Sequence, residues 1–334
     1  MVRLWGAWVR NRKKVLLKND GESRMLNKLR GLDKDVTDTV DVTDWRAVCA
    51  AIVEIFEKRY PGEDVGVIPT LVEDFHRLYS GEYPGFHACD IGYHNIQHVL
   101  DVSLAMARLI DGFEKCHRSE EQLGLPLALA GLASALFHDA GYIRHRNDTK
   151  HKNGLEYTRV HVSRSARFLT KYLPTVGLDY AVPICKKMVH FTGYEVNPND
   201  TSVPTEAEKQ IGWLLGTADL IAQMADVAYL EKCRDKLYPE FEEGGTAGTG
   251  GIFSAAGVIY KTPQQLMEST PNFIRTAVQV RLDGYFHQSY RYAAEHFGGD
   301  NLYMDAIYEN CSLLEAVLAK NNSKLLMKSD FRTQ

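Results

Sequence analysis

A chain of 334 residues, 45% hydrophobic and 25% charged, suits a globular protein of one large or two smaller domains that holds its core without crosslinks. A net charge of −4 argues against a protein devoted to nucleic acid, so no specific nucleic-acid binding is expected. Six scattered cysteines with no Cys-x-x-Cys pair argue against a disulfide framework or a zinc–thiolate site, and no run approaches the roughly 18 apolar residues of a membrane span.

The charge is uneven. Residues 1–34 hold ten Lys and Arg against three acids, so +7 sits there and −11 falls on the other 300 residues. Residues 1–40 therefore read as a basic arm. Trp5, Trp8 and Val9 are followed by Arg10, Arg12, Lys13 and Lys14, a pattern that can rest on an anionic membrane surface or a protein through residues 1–18. A solvated tail explains the same composition. The start lacks the apolar core of a signal peptide, so the expected home is cytoplasmic, with contact at a membrane periphery through the arm.

From residue 42 the apolar period is helical. Thr43 or Asp44 can cap a run through Trp45, Val48, Ile52 and Phe56. Further helices are predicted at 69–79, from near His94 to about Lys115, and at 120–138. The last is apolar almost all round and belongs at the centre of a bundle. Others follow at 154–173, 179–190, 206–225 and 226–241. The glycine-rich 242–251 is a break, and it lacks the Gly-Lys-Ser/Thr ending of a phosphate loop. Two more helices are predicted at 263–296 and 300–320. Strand signals are sparse. The expected fold is all-α: a 42–241 helical core, with 252–334 as C-terminal helices packed on it.

Charged residues inside this apolar pattern point to chemistry. His138-Asp139 ends the all-apolar helix, where an unpaired charge is costly. Gly141, two residues on, permits the chain to turn so that both side chains reach one centre. Asp219 is the only charge between Ile211 and Ala225, so it is paired or bound to an ion. His94 and His98 share a spacing that puts both imidazoles on one helix face. His98 reads as a ligand and His94 as a proton donor one turn nearer the mouth. His98, His138, Asp139 and Asp219 form an imidazole–carboxylate shell that suits one or two divalent ions, with Mn, Mg, Zn or Fe as the candidates. His161 and His190 fall 22 and 51 residues after Asp139, and Asp219 falls 29 after His190. Each gap of 22 or 29 is near one helix plus its loop, so His161 and His190 are either ligands to a second ion or ordinary histidines. Glu156 and Asn95 are candidates to support a ligand or contact substrate. The basic loop 143–153, with Arg144 and Lys150, is a candidate for steering a small anionic nucleotide, or a solvated loop.

These residues resemble the HD superfamily of metal-dependent phosphohydrolases over about 93–241. Tyr93-His94-Asn95-x-x-His98 followed by Asp101 is similar to the opening motif of class I cyclic nucleotide phosphodiesterases. Thr217-Ala218-Asp219 is similar to that family's final metal aspartate. The resemblance implies an HD-domain helical bundle and a phosphodiesterase whose metal-bound hydroxide attacks a nucleotide. It implies His94 as general acid and His98 as ligand. The pattern after His138-Asp139 departs from class I: that family continues x-x-His-Pro-Gly, whereas this chain reads Ala-Gly-Tyr-Ile-Arg-His145. Gln279 and Gln288 are the candidates for its purine-binding glutamine. The six-ligand order is similar to bacterial two-metal HD phosphodiesterases. HD-fold di-iron oxygenases carry it too, and a non-catalytic HD regulatory module is the third expectation.

Overall fold

The structure, a computed structural model, describes residues 30–193, 205–243 and 260–319. The arm through residue 29 and the glycine-rich break from 244 lie outside the described residues, as do the expectations that rest on them. The chain divides into Met1–Gly31 and Leu32–Gln334, and all the described helices lie in the second unit.

That unit is all-α, as the periodicity predicts. Its helices are α1 (Trp45–Arg59), α2 (Val67–Ser80), α3 (Ile96–Cys116), α4 (Gly124–Phe137), α5 (His161–Tyr172), α6 (Val182–Met188), α7 (Glu206–Ala225), α8 (Tyr229–Lys232), α9 (Tyr238–Glu243), α10 (Pro263–Thr276), α11 (Tyr292–Phe297) and α12 (Leu302–Ala319). Among the described residues there is no strand, only two isolated bridges, Lys34 with Asp41 and Phe86 with His145. No described helix is long and apolar enough to cross a membrane.

Local chemistry sets the boundaries. Asp44 caps α1 by accepting from the Arg46 amide, and Val48, Ile52 and Phe56 line its buried face at four-residue spacing. Thr205 and Glu208 form a reciprocal capping box at the start of α7. α4 is buried on nearly every side, as an all-apolar helix must be. α3 packs against α1, α4, α7 and α11, so it lies at the centre of the bundle. Its contact with α11 is close: a Cβ on Gly112 would meet the Tyr292 carbonyl oxygen at 1.8 Å.

Several expectations shift. Asn95 caps α3, so His94 precedes the helix and does not share a helical face with His98. The predicted helix at 226–241 is broken. A π-helical segment at Cys233–Leu237 separates α8 from α9. Pro239 has no N–H to give the Asp235 carbonyl, and the ladder widens just before it. The predicted 263–296 helix also breaks, into α10, a π segment at Ala277–Tyr285 and α11. His287 and Gln288 both take positive φ there and reverse the chain.

The last helices contribute to the core. One hydrophobic cluster runs from Val42 to Val317, and α12 packs on α7. Residues 32–40, placed in the arm by composition, belong to the same unit. Asp35 is 4% exposed and pairs at 2.5 Å with Arg108, which also donates to the Tyr303 hydroxyl at 3.0 Å. Removing one partner of such a buried pair costs about 3–5 kcal/mol.

Candidate metal centre

Four elements deliver the acidic and imidazole groups. His98 projects from the first turn of α3, and His138 is the C-cap of α4. Asp139 precedes a short 3-10 turn, Ala140–Tyr142, and Asp219 lies in α7. The turn is possible because of Gly141, for a different reason from the one its sequence position suggests. Gly141 has no positive φ; it lets the turn touch the start of α5, where a Cβ would lie 1.8 Å from the His161 carbonyl oxygen.

The donor atoms converge. His138 Nε2 lies 3.2 Å from Asp139 Oδ2 and 3.8 Å from Asp219 Oδ1. His98 Nε2 lies 3.5 Å from Asp139 Oδ2 and 3.4 Å from Asp219 Oδ1. His98, His138 and Asp139 are all buried and form a group able to hold a metal ion. An ion held at 2.0–2.3 Å would set neighbouring donors roughly 3 Å apart, close to these separations.

Hydrogen bonding orients the lone pairs. His138 Nδ1 donates to the Ala135 carbonyl at 2.8 Å, and His161 Nδ1 donates to that of Thr158 at 2.7 Å. Each ring therefore turns Nε2 toward Asp139. His161 Nε2 lies 3.6 Å from the other carboxylate oxygen, Oδ1. His138 Nε2 and Asp139 Oδ2 are buried without a hydrogen bond. Buried polar atoms rarely stay unbonded, and a cation between them satisfies both. The residues present thus fit a divalent ion.

The electrostatics agree. Burial raises the Asp139 carboxyl, but His138 and the other imidazoles hold it well below the ordinary carboxylate range. Burial lowers His138, and Asp139 and Asp219 more than reverse that, to about 9. The same Nε2 therefore takes either a proton or a metal ion. His161 is pulled below its usual value, by burial first.

His94 is held by a residue the sequence did not single out. Its Nδ1 lies 2.7 Å from Glu240 Oε2 in α9, and Glu240 also accepts the Tyr93 amide. Burial lowers His94, and Glu240 raises it to about 9. Tyr142 is stacked against both His94 and His161, with centroids 5.1 and 4.3 Å away.

A cavity of about 910 Å³, including its open mouth, joins His94, His138, Asp139, His161 and Asp219. Its far wall is apolar and comes from the broken helices: Cys233, Leu237, Phe241, Leu266 and Phe273. Gln223, one turn after Asp219, also lines it and accepts from the Tyr93 hydroxyl at 3.2 Å.

The remaining candidates do not line the cavity. Half-buried His190 has an unbonded Nδ1 and is lowered by burial, and no ion pair or ring contact among the described residues joins it to Asp139 or Asp219. Asn95 supports His98 as its helix cap, accepting from the His98 amide at 3.3 Å. Glu156 is exposed and accepts from the Lys152 amide. Arg144 is pinned by Asp90 at 3.0 Å, and exposed Lys150 stands in the Asp148 turn. Neither lines the cavity, so the basic loop does not form its wall. Gln279 and Gln288 are exposed and do not line it either.

The class the architecture defines is an all-α bundle around a His/Asp group. It is similar to the phosphodiesterase domain of the RhoPDE fusion protein from the choanoflagellate Salpingoeca rosetta, at a TM-score of 0.51 and 14% identity, over 89% of this chain and 98% of that one. A family described as Npun_R2479-like matches residues 152–316. No curated protein sequence matches the chain.

Proposed function

We propose that the chain is a metal-dependent, phosphodiesterase-like hydrolase of a small phosphodiester, with a cyclic nucleotide-like ester as the substrate class. One observation carries this reading: two donors, His138 Nε2 and Asp139 Oδ2, are buried and unbonded beside a cavity that both residues line together with Asp219, and His98 Nε2 lies 3.5 Å from the second of them. Two carboxylates facing imidazole nitrogens suit a divalent cation, which takes the place of the proton on His138 Nε2. Bound there, such a cation supplies Lewis acidity and lowers the pKa of water. His98, His138, Asp139 and Asp219 would hold the first ion. Asp139 and His161 would hold a second, with His190 as a further proposed donor.

The chain's own groups supply the rest. Glu240 keeps His94 protonated at neutral pH by accepting from Nδ1, which leaves Nε2 to give a proton to the leaving oxygen. Glu240 thus acts as a positioning residue. The apolar wall accommodates the non-phosphate part of the ester. With its carbonyl oxygen taken by Tyr93, the Gln223 amide nitrogen is left to donate to that part.

The test is metal analysis of the purified protein, followed by a panel of cyclic mononucleotides, linear dinucleotides and bis-nitrophenyl phosphate with Mn, Mg, Zn and Fe in turn. The expected result is bound metal and hydrolysis of at least one diester, both lost in His138→Ala. Metal-free protein inert toward the whole panel would overturn the reading. Oxygen uptake by an iron-loaded sample would replace it with an oxygenase.

A further inference from the structure

The turn that carries Asp139 has a second face. Behind Ala140 and Gly141, away from the metal ligands, lies another pocket of about 780 Å³ including its mouth. Its charge is one-sided. Arg164, Arg167 and Lys171 line it from α5, at spacings of three and four that place them on one helical face, and no carboxylate lines it. Arg164 is committed: it donates to the Gly141 carbonyl at 2.6 Å and the Ile143 carbonyl at 3.0 Å. Arg167 and Lys171 are exposed, and no hydrogen bond or ion pair engages them among the described residues. Nearby acids are occupied. Asp74 accepts from Arg77 and the Tyr172 hydroxyl, and Asp148 from His151 and Tyr157. His145, against the Phe86 ring at 4.3 Å, is pulled below its usual value by burial and then by Arg164 and Lys171, so the local potential is positive.

The remaining wall is aromatic. Tyr172 is buried. Tyr83, Phe86 and Phe168 are half-exposed, with their edges set against one another at centroid distances of 5.7–6.2 Å. A bare phosphate has no use for such a wall, and a neutral ring has no use for three cations. A ligand with both an anionic group and a flat ring uses all of it.

We infer that this pocket is a second ligand site, for a small aromatic phosphate of the nucleoside monophosphate class, with Arg167 and Lys171 holding the phosphate and Phe86 and Phe168 the ring. The inference stands apart from the proposed hydrolysis. The experiment is calorimetric titration of the metal-loaded full chain with AMP, adenosine and inorganic phosphate as separate probes. AMP should bind more tightly than either fragment. Arg167→Glu/Lys171→Glu should weaken AMP binding by about tenfold or more with an unchanged melting temperature. Should that variant fold poorly, Arg167→Gln/Lys171→Gln is read instead. Phe168→Ala should narrow the gap between AMP and phosphate, and His138→Ala should leave AMP binding intact. Unchanged affinity in the charge variants would overturn the inference. So would AMP binding lost only in His138→Ala, which would put the nucleotide in the metal cavity. A single-stranded oligonucleotide that bound the pocket more tightly than AMP would also overturn it.

Discussion

The two pockets on either side of the Ala140–Tyr142 turn are opposites. One presents carboxylates and imidazoles, with His138, Asp139 and His161 buried, before an apolar wall. The other presents guanidinium and ammonium groups at the surface before an aromatic wall. Among the described residues, the first has buried donor atoms without a hydrogen bond, and the second has exposed cations without an ion pair. The same protein thus provides a place for a cation and a place for an anion within one turn of backbone. Burial separates their consequences: changing a group in the first disturbs uncompensated charge in low dielectric, while changing one in the second acts through screened, long-range charge.

The largest effect should come from Asp139→Ala. It removes the carboxylate that faces His98, His138 and His161. Metal content should collapse and hydrolysis fall by about 10³-fold or more. AMP binding at the basic pocket should survive; its loss would break the separation between the two sites. Glu240→Gln should come next. Hydrolysis should drop by about 10–100-fold with metal content retained. The alkaline limb of the pH–rate profile should move down from near 9, because Glu240 is what raises His94 to about 9. An unmoved limb would deny His94 the role of acid.

A third effect is in stability without metal. His94 and His138 hold their protons to about 9 in the folded chain and to 6.5 outside it. Their contribution is full below 6.5 and is lost as pH rises toward 9, so the metal-free melting temperature should fall over that window. Metal should remove the His138 part of the slope, because it occupies the Nε2 that the proton would take, and leave the His94 part. In the basic pocket His145 titrates the other way: its folded pKa is lowered, so its contribution is present above 6.5 and fades as pH falls through the lowered value. Melting scans of the Glu240→Gln and His145→Ala variants would separate the two. The smallest effect belongs to Asn95→Ala, about 1 kcal/mol from a lost helix cap, read as a lower melting temperature with modestly weaker metal binding.

Much of the candidate metal centre was legible in the sequence because its groups interrupt apolar runs. Asp219 breaks α7, and His138-Asp139 ends α4; a charge in such a setting must find a partner. Their helices are regular, so periodicity placed them well. Glu240 was not legible. It lies 146 positions from His94, in a chain that a π segment and Pro239 break out of period, and Glu-rich surroundings disguise it as a surface acid. Spacing of four puts His94 on the helical face of His98, but that spacing is ambiguous when a cap residue, Asn95, stands between the two. The basic loop misled for a related reason. Composition records Arg144 and Lys150 as positive but not that Asp90 already engages the Arg144 side chain, nor that exposed Lys150 does not line the cavity. The cations that line a pocket, Arg167 and Lys171, sit on an amphipathic helix where charge is ordinary.

Gly141 bears on how far this chain can vary. Between Asp139 and the first turn of α5, the backbones approach to a distance that leaves no room for a Cβ. In a library randomised over residues 140–142 and selected for retained metal, position 141 should return glycine alone, while its neighbours drift among residues of similar bulk. The spacing Asp-x-Gly is then a signature set by clearance rather than by chemistry, and it can mark this turn in chains whose surrounding sequence has otherwise diverged.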